Sequence, residues 1–437
     1  MELKEKLLSS YVAFENGLNT NSDIHEIRNK ALQNFEELGF PSKKLEAWKY
    51  TSLQSILNCD YNIFHHREIA IGLAEVKKYF VHDIESYKIV FINGKYSSFL
   101  SETTHEGMDI CLLSAAIAKP KYKEVIQKYF NKVAVQDSMT SLNTAYASEG
   151  AFIHIPKGIE VEKPIQIINF ATGSEVAVML QPRNLIVVDT QAQVQIIERH
   201  QSLTSNAALT NSVSEIYSHE QASVDYYKIQ NDHSRASLID NTFIEQQKHS
   251  TCSVHTFSLG GTVTRNNLNF FQKGKGVNSI LKGITITENK QLVDHYTLVH
   301  HTEPNCESHQ DYKGIFNDRS TGVFNGKVIV EKEAQKTNAY QQNNNILVSE
   351  KATVNAKPQL EIFADDVKCS HGCTTGQLDQ QALFYMQQRG IPKKEGKALL
   401  MYAFANTVLE SVKIPAVKKR ITQFIADKLH INLGFNL

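Results

Sequence analysis

Apolar positions along the 437 residues change their spacing twice. From about residue 1 to 55 they recur at three- and four-residue steps, as at Ile24, Ile27, Ala31, Phe35 and Leu38, which is the stripe of an amphipathic helix. Gly39 predicts the end of that helix, because a residue without Cβ takes the left-handed closing conformation at little cost. Between about 60 and 145 the signals mix. Tyr87 to Ile92 reads as a strand, Asn93-Gly94 as a tight turn, and Leu112 to Ala118 as a short helical patch. An N-terminal helical and mixed α/β region is therefore expected over residues 1–145.

From about 150 short alternating segments follow one another, broken by Gly, Asn, Asp, Lys and Gln. Ile159/Val161, Ile165/Ile167, Leu185/Val187, Val194/Ile196, Ile284/Ile286, Val323 to Val330 and Ile346/Val348 are examples. No helix-length pattern interrupts them, so residues 146–372 are expected to form an all-β core, elongated or layered. Asn343-Asn344-Asn345 reads either as stacked turn asparagines of a β-solenoid or as an ordinary polar loop. No repeat of fixed length stands out, and periodicity alone does not separate a solenoid from a sandwich.

After Gly376 the spacing turns helical again, predicting a C-terminal helical domain within residues 373–437. Leu383 and Met386 mark one helix, stopped by Gly390 and Pro392. A second is expected around Leu399, Tyr402, Leu409 and Val412. A third should follow Pro415, with Val417, Ile421, Phe424, Ile425 and Leu429 on one face and Lys418, Lys419 and Arg420 outside.

Composition narrows the partners. Apolar residues at 41% and charged residues at 21% suit a folded globular chain. Lysine plus arginine equals aspartate plus glutamate at 46 each, so no global field draws the chain to nucleic acid or to an anionic membrane. No stretch approaches the roughly 18 apolar residues of a membrane span. The amphipathic N-terminus lacks the pattern of a secretory signal, so a cytoplasmic protein is expected. In that reducing compartment the six cysteines, at 59, 111, 252, 306, 369 and 373, should be thiols or metal ligands.

The sharpest chemical feature is Asp365-Asp366-Val367-Lys368-Cys369-Ser370-His371-Gly372-Cys373, at the seam between the last β segment and the first C-terminal helix. Alternation along a strand would put Val367, Cys369 and His371 on one face. Thiol and imidazole both suit iron or zinc, but two or three donors do not close a tetrahedral site, so a partner or solvent would supply the rest. On spacing alone the plainer reading is a buried structural cysteine beside a hydrogen-bonded histidine, since the paired spacing of a metal motif is missing.

A second group, His295, His300, His301, Cys306 and His309, is dense but irregular, and reads as a polar turn between strands; Asp294 is placed to orient His295. No phosphate-binding loop occurs, since Gly274-Lys275-Gly276 and Gly396-Lys397 lack its spacing and hydroxyl. No Gly-x-Ser-x-Gly elbow occurs either, and Asp365-Asp366 on opposite strand faces would not make a glycosidase pair. These absences point away from an enzyme, including a β-helix polysaccharide lyase.

Several segments together resemble the SufB/SufD family of scaffold proteins of the SUF iron-sulfur assembly system. They run from PSKKLEAWKYT at 41–51, through HIPKG at 154–158, to FNGKVIV at 324–330, AQKTNAYQQNNNILVS at 334–349, KPQLEIFADDVKCSHG at 357–372 and LFYMQQRGI at 383–391. The DDVKCSHG run is similar to the SufD branch, although many of its members have alanine at the position of Cys373. The resemblance implies a right-handed parallel β-helix between an N-terminal helical or α/β region and a C-terminal helical domain. It also implies pairing with a SufB-like subunit through the β-helix core, and docking of the ATPase SufC on residues 378–437. Cys369, His371 and the additional thiol Cys373 would then face the subunit interface, where iron or a nascent cluster sits transiently. Flavin would belong to the level of the whole complex, and a homodimer would form when the chain is alone. Within the family the competing reading is a SufB-like subunit accepting sulfur directly, with Cys252 and Cys306 as candidates. A structural zinc protein held by Cys369, His371 and Cys373 is the third.

Overall fold

The computed structural model describes residues 2–18, 22–63, 71–105, 107–173 and 176–430. Its centre is a parallel β-solenoid of about 8 turns, built as two sheets that face each other across a shared interior. One sheet stacks Ala151–Ile155, Arg183–Val188, Ala208–Ser218, Ala236–Gln246, Val263–Gln272, Leu292–His301, Thr321–Val330 and Thr353–Ile362. The second stacks Ile165–Ala171, Gln193–Ser202, Ser223–Gln230, Thr251–Ser258, Asn278–Thr287, Glu307–Phe316, Asn338–Leu347 and Lys368–Gly376. Neighbours are parallel and in register, so like positions form columns.

Coil length varies. Ser237 lies beside Val263 and Thr321 beside Thr353, steps of 26 and 32 residues. The variation sits in the connections, which is why no fixed repeat is visible in the chain. One corner is nevertheless uniform: Gly158, Gln191, Gln221, His249, Gly276, Asn305 and Lys336 all have positive φ. Each donates its N–H to a corner carbonyl of the following coil, from Thr190 at the first to Asp366 at the last. Backbone groups close this corner, and the asparagine run takes neither of its two readings, turn or polar loop. Asn343, Asn344 and Asn345 lie within the strand Asn338–Leu347 instead, with Asn343 and Asn345 buried and Asn344 turned out to accept from Thr374 Oγ1 at 2.7 Å.

Inward positions of the first coils include many apolar residues, as at Ile167, Ile186, Ile196, Ile216, Val224 and Ile244, alongside the ion triad Glu198, Lys228 and Asp240. Each such apolar burial stabilises by about 1.5–3 kcal/mol. Later coils mix apolar residues such as Leu281, Val299 and Phe324 with polar ones: Thr285, His295, Gln310, Gln341 and Asn343 are all at most 5% exposed. The outward faces are covered by helices. Leu3–Asn16, Ser22–Leu38 and Ser138–Tyr146 cover the first sheet, with Leu7, Phe35 and Leu142 against Met179, Leu209 and Ile239. Ile24, Ala31 and Phe35 are buried as their spacing predicts, and Gly39 ends the helix at φ +63°. Leu38 is 55% exposed; buried Arg28 enters the stripe instead, donating to the carbonyls of Ala145 and Ala147.

Of the helices Gln380–Gln388, Lys393–Leu409 and Pro415–Leu429, the last two cover the second sheet, with Val408, Leu409, Ile421 and Ile425 against Ile197, Tyr227, Phe257, Ile284 and Ile315, and the first packs on Lys393–Leu409, with Leu383 beside Gly396. The third helix buries Val417, Ile421, Ile425 and Leu429 as expected. The second buries Ala398, Met401, Ala405 and Val408, a stripe beside the expected Leu399 and Tyr402, because small residues allow close approach to the sheet. The solenoid strand continues to Gly376 and the first helix begins at Gln380, so β structure passes beyond the expected boundary at 372/373. Residues 431–437 of the expected C-terminal domain lie outside the described residues.

The two ends differ. At the first coil Tyr87–Ile92 joins Ile165–Ala171, and Asp109–Leu112 pairs antiparallel with Ala151–Ile155, so N-terminal strands close the ladder. Asn93 and Gly94, at φ 49° and 74°, make the expected turn into Lys95–Tyr96. At the last coil no further strand is added among the described residues.

Candidate functional site

Thr353–Ile362 and Lys368–Gly376 each have a neighbour on one side only, and together they form the open end of the solenoid. An edge of this kind offers unpaired N–H and C=O groups to another chain. On the terminal strand Cys369, His371 and Cys373 lie in register with Ala339, Gln341 and Asn343, which are 2%, 1% and 4% exposed. The three therefore occupy the inward face. With no further coil above them Cys369 is half-buried, and His371 and Cys373 are exposed. Val367 precedes the strand, so the shared face runs through residues 369, 371 and 373.

The surroundings of the three differ. Cys369 packs on an apolar cluster of Val328, Val330, Ala334, Ala339 and Ala364, and burial pushes its thiol pKa up. The Cys373 thiol lies 3.7 Å from Asn343 Oδ1 and is also pushed up by burial. Both thiols are thus held protonated until a base or a metal ion takes the proton. Alternate residues on a strand stand roughly 7 Å apart. No group of three His, Cys, Asp or Glu that could hold a metal ion occurs among the described residues. Cys369, His371 and Cys373 thus form no closed centre by themselves among the described residues.

The histidine-rich group does not converge. It lies mostly in strands, not in the expected polar turn, so alternation sends its members to opposite faces. His295 is inward and buried, with Nε2 2.9 Å from Thr285 Oγ1, and burial lowers its pKa to about 3. His301 is inward, 2.9 Å from Ser308 Oγ, and burial lowers it to about 3 as well. His300 faces outward to Glu331 at 2.8 Å, and His309 outward to Glu307 at 3.5 Å. Cys306 donates to the Gly274 carbonyl at 3.2 Å. Asp294 turns away from His295, to Arg265 and Thr51.

The candidate sulfur acceptors are sealed. Cys252 is 0% exposed and Cys306 likewise, and burial pushes both thiols up. Asp365 and Asp366 lie in a bend before the terminal strand, not on strand faces, and Asp366 receives the N–H of Lys336 on its carbonyl. For flavin, a wide cleft lined by Ser234, Thr262, Asn289, Lys290, Gln291, Asp318 and Arg319 offers no aromatic ring to stack an isoalloxazine.

Two apolar surfaces were not anticipated. Tyr340, Ile362 and Phe363 flank the open end at 41%, 40% and 61% exposure. Phe384 and Tyr385, on the helix Gln380–Gln388, are 63% and 60% exposed beside buried Leu383. Their signal in the chain is an apolar pair at Ile362-Phe363 where a polar turn is usual, and a run Leu383-Phe384-Tyr385 too wide for one helix face.

Comparison with known proteins agrees with this architecture. The description "SUF system FeS cluster assembly, SufBD core domain" matches residues 169–404, and "SufBD protein N-terminal region" matches residues 1–167. The chain is 30% identical over 398 residues to an iron-sulfur cluster assembly SufBD family protein of Synechocystis, covering 89% of this chain and 87% of that one. It is 27% identical to the iron-sulfur cluster assembly protein SufD of Escherichia coli over 91% of each chain. To SufD of Bacillus subtilis it is 29% identical, over 71% of this chain and 72% of that one. A capped parallel solenoid with one open end, matched from residue 1 to residue 404, places the chain in the SufBD family of SUF-system iron-sulfur cluster assembly proteins.

Proposed function

We propose that the chain is a cytoplasmic scaffold subunit of the SUF system, pairing with a SufB-like subunit through the open end of its solenoid and carrying no complete active site of its own. Iron, or a nascent cluster, is the cargo at that seam. His371 and Cys369 supply donors to it, Cys373 adds a third thiol, and the sister subunit completes the set. The observation that carries this reading is the placement of an imidazole and two thiols on the inward face of an unpaired terminal strand.

The protonation states fit a site that matures on assembly. Covering the edge brings base or metal to thiols that burial holds neutral, and loss of their protons accompanies loading. The C-terminal helices serve as the docking platform for the ATPase SufC, with exposed Phe384 and Tyr385 as its anchors. In this reading ATP binding draws two ATPase subunits together, and their approach twists the paired solenoids and opens the seam. Without the sister subunit, a second copy of this chain takes its place at the edge.

The test is cluster build-up in cells carrying the complex with His371→Ala. A fall of tenfold or more is expected, and undiminished build-up removes His371 from the seam. For docking, Phe384→Asp with Tyr385→Asp should abolish co-purification of the ATPase while the chain stays folded. Retained co-purification would move the platform elsewhere.

A further inference from the structure

A buried side chain without a hydrogen-bond partner sits directly beneath the open end. Gln341 is in register with His371 on the terminal strand and with Gln310 on the strand before it. It is 1% exposed, and among the described residues neither its Nε2 nor its Oε1 has a partner. Its neighbours on the same inward face are partly occupied: Gln310 Nε2 also lacks a partner among the described residues, but the side-chain oxygens of both neighbours are taken. Gln310 Oε1 accepts from Thr297 Oγ1 at 2.8 Å, and Asn343 Oδ1 accepts from Asn345 Nδ2 at 2.6 Å. Room for the orphan amide is left by Gly326 on the facing sheet, where any side chain would collide with Gln341 Nε2.

Buried amides are nearly always satisfied, so one with both polar atoms unpartnered calls for an explanation. Strands in a sheet stand roughly 4.8 Å apart, so a glutamine side chain reaches the in-register residue of the next strand by a change of rotamer. Above Gln341 that residue is His371, and on its other side is Gln310, whose carbonyl oxygen is already taken and whose unpartnered Nε2 is the rival donor that the imidazole N–H displaces. An imidazole that gives one nitrogen to a metal ion keeps an N–H on the other, and that N–H wants an acceptor which fixes the tautomer and the ring plane.

We propose that Gln341 is a positioning residue for His371: its carboxamide oxygen accepts the imidazole N–H when the opposite ring nitrogen meets the cargo iron. The idea rests on the assignment of His371 to the seam made above. No atom is transferred, and only a hydrogen bond is gained. The orphan state of the amide in the isolated chain is the cost of holding an acceptor ready.

Two nearly isosteric substitutions separate positioning from packing. Gln341→Met keeps the shape and removes the acceptor; Gln341→Glu keeps the acceptor and adds an unfavourable buried charge. If Gln341 serves packing alone, methionine is harmless and glutamate harmful. If it positions His371, the order reverses for metal binding. The measurement is ferrous iron binding to the full complex, purified with its partner subunits, together with thermal unfolding of the isolated full-length chain. Gln341→Met is expected to weaken ferrous iron binding at least tenfold while leaving Tm unchanged or raised. Gln341→Glu is expected to restore binding to within about threefold of the native complex and to lower Tm. Native binding by Gln341→Met, with His371→Ala impaired, overturns the role of Gln341 alone. Native binding by His371→Ala removes both assignments.

Discussion

Single buried groups set much of the energetics here. Lys228, 3% exposed, reaches Glu198 at 3.0 Å and Asp240 at 2.7 Å inside the solenoid. Burial disfavours its charge, but the two carboxylates more than offset that and raise its pKa. Lys228→Met strands two carboxylates in the interior and is expected to cost about 3–5 kcal/mol in urea unfolding. Without the ammonium those carboxyls hold their protons when folded and lose them when unfolded above about pH 4. The deficit should therefore grow from pH 4 to pH 7, and a pH-independent loss would contradict the ion triad. The buried histidines act with the opposite sign. Burial lowers His255 to about 4, and His295 and His301 to about 3. Below the ordinary value of 6.5 the unfolded chain takes up protons that the folded chain refuses, so stability falls as pH drops from 6.5 toward about 3. Each of these histidines costs up to about 1.4 kcal/mol per pH unit in that window. His295→Gln should remove one share of the slope measured between pH 7 and pH 5. At this scale the chain itself was a poor guide: spacing places His295 and His300 in one cluster, but it does not tell which face of a strand each one takes.

At the scale of elements the chain was readable wherever one face is buried and the other wet. The helix Pro415–Leu429 follows its pattern, with Val417, Ile421 and Ile425 at 0% exposure. Its polar face is also used: Lys419 reaches Asp83 at 3.2 Å, and Arg420 lies 4.4 Å from the Phe424 ring. Ile421→Ala should cost about 2–5 kcal/mol, since its site on the sheet is closed on all sides. The preceding helix Gln380–Gln388 is capped by Asp379, whose Oδ1 accepts from the N–H groups of Gln381 and Ala382. Asp379→Ala should cost about 1 kcal/mol and loosen only this helix, as hydrogen exchange of its amides would report. The solenoid was less readable because its two determinants are not periodic in sequence. Coil length varies, and the inward face mixes Ile and Val with charged residues in the early coils and with Asn, Gln, His and Thr in the later ones. Alternation marks strands, but a polar inward face hides which side is the core, and Asn343 to Asn345 therefore look like a turn.

For the whole molecule the decisive feature is asymmetry: helices on both flanks, N-terminal strands at one end, an unpaired edge at the other. The C-terminal helices are structural as well as exposed, because they cover Tyr227, Ile229, Phe257, Ile284 and Ile315. Deleting residues 378–437 should thus yield aggregated chain. Partner pairing is better probed at the edge itself. Lys368 N–H donates to the Thr337 carbonyl at 2.8 Å, so along this strand the even-numbered residues bond inward to Asn338–Leu347. In a parallel ladder a residue sends N–H and C=O to the same side, and the odd-numbered residues 369, 371, 373 and 375 therefore face the open edge. Proline at 373 removes one outward N–H while the inward ladder stays whole, and proline is tolerated on edge strands for this reason. Cys373→Pro should leave the Tm of the isolated chain within a few degrees, yet weaken pairing with the sister subunit at least tenfold, about 1.4 kcal/mol. Cys373→Ala controls for the lost thiol and should pair like the native chain. Equal pairing by both variants would mean that the subunits meet through side chains alone, and that the bare edge, the most conspicuous consequence of the open coil, is not where the sister chain adds.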